Sequence, residues 1–213
     1  MHILKLEGIH KIKAPNKVNI LSNVSFEVKE GEILVLSGDQ DAGVSTLIRG
    51  ILGLENFDSG KLLFSGPKLG DLTVNRPTIG VIFQDYALFP NLSILENVKL
   101  ALKGRKQEIE QQALASLKLL GLDGFSEKYP EVLGIEDRFR VALARAIAPE
   151  PRLLVLSEPF RQLRGMYKHD LIVETKRCLK QAGIAALVET SDKAVALSIS
   201  DRLAVFHKGY LQQ

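Results

Sequence analysis

Only one cysteine, Cys178, stands in the 213 residues, so no disulfide can form within the chain, and a reducing compartment suits it. It lies in a lysine-rich helical stretch and reads as inert. The four histidines, His2, His10, His169 and His207, are scattered without the spacing of metal ligands. No apolar run approaches the ~18 residues that would span a bilayer. The opening MHILKLEGIHK carries charge too early for the apolar region of a signal peptide. Any link to a membrane is therefore expected to run through a partner. Runs of five or more Lys/Arg are also missing, and a net charge of +3 is too mild for the dense basic stripe of a nucleic-acid binder. Repeats and low-complexity tracts are absent as well.

What is present is the 46% hydrophobic and 25% charged composition of an ordinary soluble globular domain with a sizeable core. Short apolar runs alternate with longer helical patterns. Strands are expected at 3–9, 24–28, 33–37, 61–64, 78–83, 153–156, 185–188 and 203–206. Helices are expected at 44–52, 93–103, 106–120, 136–148, 168–181 and 192–199. The runs at 33–37, 153–156 and 185–188 are short and almost wholly apolar, as parallel strands buried on both faces are. Strands alternating with helices argue an α/β fold with a mostly parallel sheet. From about 85 to 150 the pattern is helical, which reads as a helical subdomain (85–150) inserted into a core formed by 1–84 and 151–213. The stretch 64–75, with Gly66, Pro67 and Gly70, reads as a surface loop.

Residues 38–46 read GDQDAGVST, one residue away from the phosphate-binding pattern G-x-x-x-x-G-K-[ST]. In such a loop, backbone N–H groups and a helix N-terminus hold phosphate oxygens. The lysine adds a cation on the β- and γ-phosphates, and the hydroxyl ligates Mg²⁺. Gly38, Gly43, Ser45 and Thr46 fit that scheme, but Val44 occupies the lysine position, and Asp39 and Asp41 add negative charge. Two unit charges ~4 Å apart interact by roughly 4 kcal/mol at an effective dielectric of ~20. A helix dipole contributes only about 0.3–1 kcal/mol, so the loop is expected to reject ATP.

The ordered segments VSFEVKEGEILVLSG, GVIFQDYALFPNLSILENV, YPEVL, VALARAIAPEPRLLVLSEPF and SDRLAVFHKG resemble the nucleotide-binding subunit of ATP-binding cassette (ABC) transporters, especially importers of small solutes. The resemblance runs over essentially the whole chain. It implies a P-loop NTPase-type core with an antiparallel β subdomain and an inserted helical subdomain. It also implies a composite site in which a second subunit's LSGGQ signature closes over the γ-phosphate. Under the resemblance Glu158 takes the general-base position, and Gln84 the glutamine that links the metal site to the membrane subunit. Ser157 stands where the family has a metal-shell Asp, a neutral and poor substitute at Mg²⁺. Ser191 stands where the family has the switch histidine. LGIED at 133–137 stands in place of LSGGQ, RQLR at 161–164 in place of SALD, and Lys13 falls near the position of the adenine-stacking aromatic.

The expectation is a pseudo-ATPase. Glu158 would be a vestigial base, and ATP and Mg²⁺ would enter only if the altered site still binds them, with Ser45 and Gln84 then as the Mg²⁺ ligands. The implied partners are a transmembrane permease subunit, a second cassette subunit or both, on the cytoplasmic face of the cell membrane. Tyr86 and Phe89, beside Pro90 and Asn91, are the expected interface aromatics, whereas Leu92, Ile94 and Val98 read as core. Two other readings stay open: an atypical but active ATPase using backbone contacts, Ser45 and Glu158, and a soluble regulatory protein on the same fold.

Overall fold

The structure is a computed structural model that describes residues 1–13, 18–39, 41–65, 72–73 and 77–213. Two sheets share the chain. The larger has the order β10(Tyr210–Leu211), β9(Arg202–His207), β3(Ile33–Gly38), β8(Ala185–Glu189), β7(Leu153–Ser157), β6(Ile79–Ile82). All its neighbouring pairs are parallel except β9 with β10. The smaller has the order β2(Val18–Lys29), β1(His2–Lys13), β4(Ser59–Ser65), β5(Leu72–Thr73) and is antiparallel throughout.

The three central strands are buried on both faces, and their period of two divides them between two cores. Ile33, Val35, Leu154, Leu156, Ala186 and Val188 face one core, which they share with Ile94, Val98, Phe139 and Leu143 of the helical block. Leu34, Leu36, Leu153, Val155, Ala185 and Leu187 face the other, shared with the antiparallel sheet and with α1(Val44–Leu52). Helix α1 is thus sandwiched between the sheets, directly after β3.

Between β6 and β7 the chain forms α2(Ile94–Lys99), α3(Lys106–Leu119) and α4(Ile135–Ile147) with two short 3₁₀ turns. The remaining helices are α5(Gly165–Ala182) and α6(Lys193–Ile199). Helix α2 is shorter than its apolar pattern predicts. Ser93 lies outside it as the cap of a capping box with Glu96, and at the far end the chain passes into turns before Gly104. Ile94 and Val98 are wholly buried, as expected of core residues. Of the expected loop at 64–75, residues 66–71 and 74–75 lie outside the described residues. Phe64 and Ser65 belong to β4 and pair with Thr73 and Leu72.

Candidate functional site

The carboxyl ends of β3, β7 and β8 converge, and α1 starts beside them, the place where open α/β sheets bind ligands. Strand β3 ends in Gly38, where a Cβ would lie 2.6 Å from the Cβ of Ala42 and 2.8 Å from the carbonyl of Phe206. Gly43 caps α1 at φ 87°, and a Cβ there would strike the Ile20 carbonyl. Both positions therefore need glycine. The loop is further pinned by Ala42 N–H to the Asp39 carbonyl (2.9 Å) and Gly209 N–H to the Ala42 carbonyl (3.2 Å). Val44 is only 6% exposed and packs with Leu47, Ile48 and Ile51 in the core between the sheets, while Asp41 is exposed.

Ser45, on the first turn of α1, donates its hydroxyl proton to Glu189, the last residue of β8. Ser157, the last residue of β7, donates to the other oxygen of the same carboxylate at 2.5 Å. Glu189 is 7% exposed. Sequence reasoning missed it: the strand is expected to stop at 188, and the signal was the charge that closes AALVE, since an unpaired acid is rarely buried.

Glu158 follows β7 in the left-handed region (φ 45°), its N–H bonded to the Glu189 carbonyl at 2.9 Å. Its carboxylate accepts from Ser191 N–H (2.8 Å), Ser191 Oγ (2.7 Å) and Thr190 Oγ1 (3.3 Å). The residues to which the resemblance assigns the base and switch positions, Glu158 and Ser191, are thus in direct contact. Asp192 next to them caps α6, and the Lys168 ammonium, 2.7 Å away, holds its carboxyl below the usual range. Gln84 is exposed in the turn after β6, and its carbonyl accepts from Gln162 Nε2 at 2.6 Å, joining that turn to the RQLR segment. Thr46 is half-buried on α1.

At the LGIED segment Gly134 caps α4, with Glu136 and Asp137 in the first turn. Asp137 does not project as a free charge: it pairs with Arg140 at 2.9 Å, and Arg140 reaches Glu174 of α5 at 3.0 Å. Acids at this end complement the helix dipole from within the chain. Lys13, the last residue of β1, is exposed.

Tyr86 departs from its expected role. It is 1% exposed and packs edge-on against Phe139, ring centroids 5.7 Å apart. The turn has φ 63° at Tyr86 and 43° at Ala87, which directs the ring inward. Phe89 remains at the surface, 50% exposed.

The donor set fits one half of a metal–nucleotide site. A hard divalent cation takes oxygen ligands, and a hydroxyl that gives its proton to a carboxylate keeps lone pairs for a cation. Ser45 with Glu189 meets both conditions. On the polyphosphate side the glycine frame is present, but Val44, turned into the core, supplies no cation there.

A family model described as ABC transporter matches residues 21–161. The spermidine/putrescine import ATP-binding protein PotA of Thermotoga maritima is 38% identical over 197 residues, 91% of this chain and 54% of the relative. The sn-glycerol-3-phosphate import ATP-binding protein UgpC of Chromohalobacter salexigens is 35% identical over 216 residues, 100% of this chain and 58% of the relative. The chain thus spans little more than half the length of these curated relatives. Among solved structures, cbiO1 from Clostridium perfringens, part of the ABC transporter complex cbiONQ, superposes with a TM-score of 0.87 at 25% identity, covering 100% of this chain and 87% of that one. The match from β2 through the turn after β7, on the same two-sheet frame, makes this chain a member of the ABC transporter family, homologous to import ATP-binding subunits.

Proposed function

We propose that the chain is an ABC-type subunit of a membrane import system, a pseudo-ATPase that docks on a permease or a partner cassette without hydrolysing ATP at its own loop. The observation that carries this reading is Val44: the loop keeps its glycine frame, but the side chain at the lysine position is apolar and 6% exposed in the core. Asp41 stands exposed on the loop where its charge opposes a phosphate. Ser191 supplies a hydroxyl in place of a switch imidazole and spends it on Glu158. Asp137 of LGIED is paired with Arg140 within the chain, which leaves it unavailable to a nucleotide held by a partner. Among the described residues no helix is long and apolar enough to cross a membrane, which fits a subunit held at the cytoplasmic face by its partner. We place the helical block at 85–150 as the part that carries the docking surface.

Calorimetric titration of the protein with ATP·Mg²⁺ tests the reading. Weak or undetectable binding is expected. A micromolar Kd, about −8 kcal/mol, would overturn it and favour the atypical ATPase, whose turnover a Glu158→Gln variant would abolish.

A further inference from the structure

We propose that Glu189 carries, from the neighbouring strand, the carboxylate that position 157 lacks, and is this chain's metal-side acid toward a divalent cation. The inference rests on the reading of these strand ends as an altered nucleotide site.

Ser157 and Glu189 are register partners in the parallel pair β7–β8. Leu153 and Val155 face α1, and so do Ala185 and Leu187. The period of two then sends Ser157 and Glu189 toward the same side, where Ser45 opens α1. A glutamate one strand away has an extra methylene with which to reach back. Its Oε2 lies 2.5 Å from Ser157 Oγ, so a carboxylate oxygen stands next to the serine where a longer acidic side chain at 157 would have ended. The other oxygen takes the Ser45 proton, the hydroxyl that the loop pattern assigns to Mg²⁺. The acid has moved sideways by one strand and its contact with the loop hydroxyl is kept.

As a mere strand terminus this arrangement is a poor choice. A buried carboxylate is costly unless paired, and buried charges are otherwise found on metals. Among the described residues Glu189 has only hydroxyl donors for its side chain, and Val44 supplies no cation to the loop. With Asp39, Asp41 and Glu158 around the same strand ends, the local charge favours a divalent cation and opposes a polyphosphate. Selection of that kind would separate the two halves of the site: the cation side retained, the phosphate side lost.

The test uses the full chain with its loop repaired by Val44→Lys and Asp41→Gly, Ser157 being left in place. ATP is titrated calorimetrically with Mg²⁺ and with EDTA. Mg²⁺ is expected to tighten ATP binding by about 10- to 100-fold, the range that metal-supporting side chains control. Adding Glu189→Gln should remove the Mg²⁺ effect, and adding Ser157→Asp to that variant should restore it by moving the acid back. An Mg²⁺ effect that survives Glu189→Gln, or that first appears with Ser157→Asp, overturns the proposal. Should the repaired loop take no ATP, urea denaturation of the unrepaired chain decides. Ser157→Asp alone sets two carboxylates within hydrogen-bond reach and should lower the midpoint, and Glu189→Val on top should recover it. Additive effects of the two changes overturn the proposal. Tight ATP binding by the unaltered protein would defeat the pseudo-ATPase reading but not this one, because the readout is Mg²⁺ dependence.

Discussion

The Tyr86 ring is among the largest fully buried side chains, yet its hydroxyl has no hydrogen-bond partner among the described residues. Burial, with the Glu136 carboxylate adding to it, pushes the phenol up to about 12 from 10.0. The folded state therefore holds this proton more tightly than the unfolded state does. The associated stability is fully present below pH 10 and is lost as pH rises towards 12. Tyr86→Phe deletes an unsatisfied polar atom and keeps the ring, so neutral-pH stability should hold or rise by up to about 1 kcal/mol. Its alkaline denaturation should begin at higher pH than that of the parent. Equal alkaline midpoints would show that this hydroxyl does not govern the transition. At this scale the sequence was legible where identity alone decides: Val44, Ser157 and Ser191 sit at the strand ends and loop where motif spacing puts them. Tyr86 and Glu189 were not, because their meaning depends on the direction a turn and a strand end give to a side chain. A positive φ at Tyr86 and the register of β7 with β8 are properties of the packed chain, which residue types do not announce.

At the scale of elements, α4 joins its own N-terminal segment to the turn after β6. From its last turns Arg145 donates to the carbonyls of Tyr86 (2.6 Å) and Ala87 (2.7 Å), the two residues held in the left-handed region. Such backbone costs of order 1–3 kcal/mol per residue and persists only where its surroundings impose it. The guanidinium, whose pKa burial lowers, is what imposes it here. Arg145→Met keeps much of the apolar stem and removes both donors. The expected loss is about 1.5–3 kcal/mol in urea denaturation, with faster amide exchange from Asp85 to Phe89 than elsewhere. Loss of stability without that local exchange would mean that the helix, not the turn, depends on Arg145. Elements were more legible than side chains. The bounds of α1 follow from Gly43 and Gly53, both in the left-handed region on either side of a periodic apolar stripe. The three central strands follow from uninterrupted apolar runs. The two-residue strands β5 and β10 are too short to carry a period, and they exist because Phe64–Ser65 and Phe206–His207 offer partners.

Across the whole molecule, under the proposed function, the changes divide by face. Val44, Ser157, Ser191 and the LGIED segment would lie on the nucleotide and cassette–cassette side, while the segment from Gln84 to Val98 matches the pattern that the resemblance implies for the docking side. The turn that bears Phe89 is built to be rigid. Asn97 is wholly buried, accepts the Phe89 N–H at 2.8 Å and donates to the carbonyls of Phe89, Leu92 and Ser93 at 3.0, 3.1 and 3.0 Å. The Phe89 ring is half exposed on that frame, so an aromatic is offered to a partner with little conformational entropy left to lose on binding. Truncating a central aromatic anchor of an interface costs about 2 kcal/mol or more, roughly 30-fold in affinity. Phe89→Ala is therefore expected to abolish co-purification with a membrane protein from detergent extracts while leaving the melting temperature unchanged, since Asn97 and not the ring holds the turn. Val44→Ala should lower stability, by about 1.5 kcal/mol for two buried methyl groups, and leave the association as it was. Tyr86 has no place in that experiment, because removing its ring would open the core and unfold what is being measured. If Phe89→Ala binds as well as the parent, or no membrane protein is recovered with either, the docking reading falls. A soluble regulatory role for the same fold then takes its place.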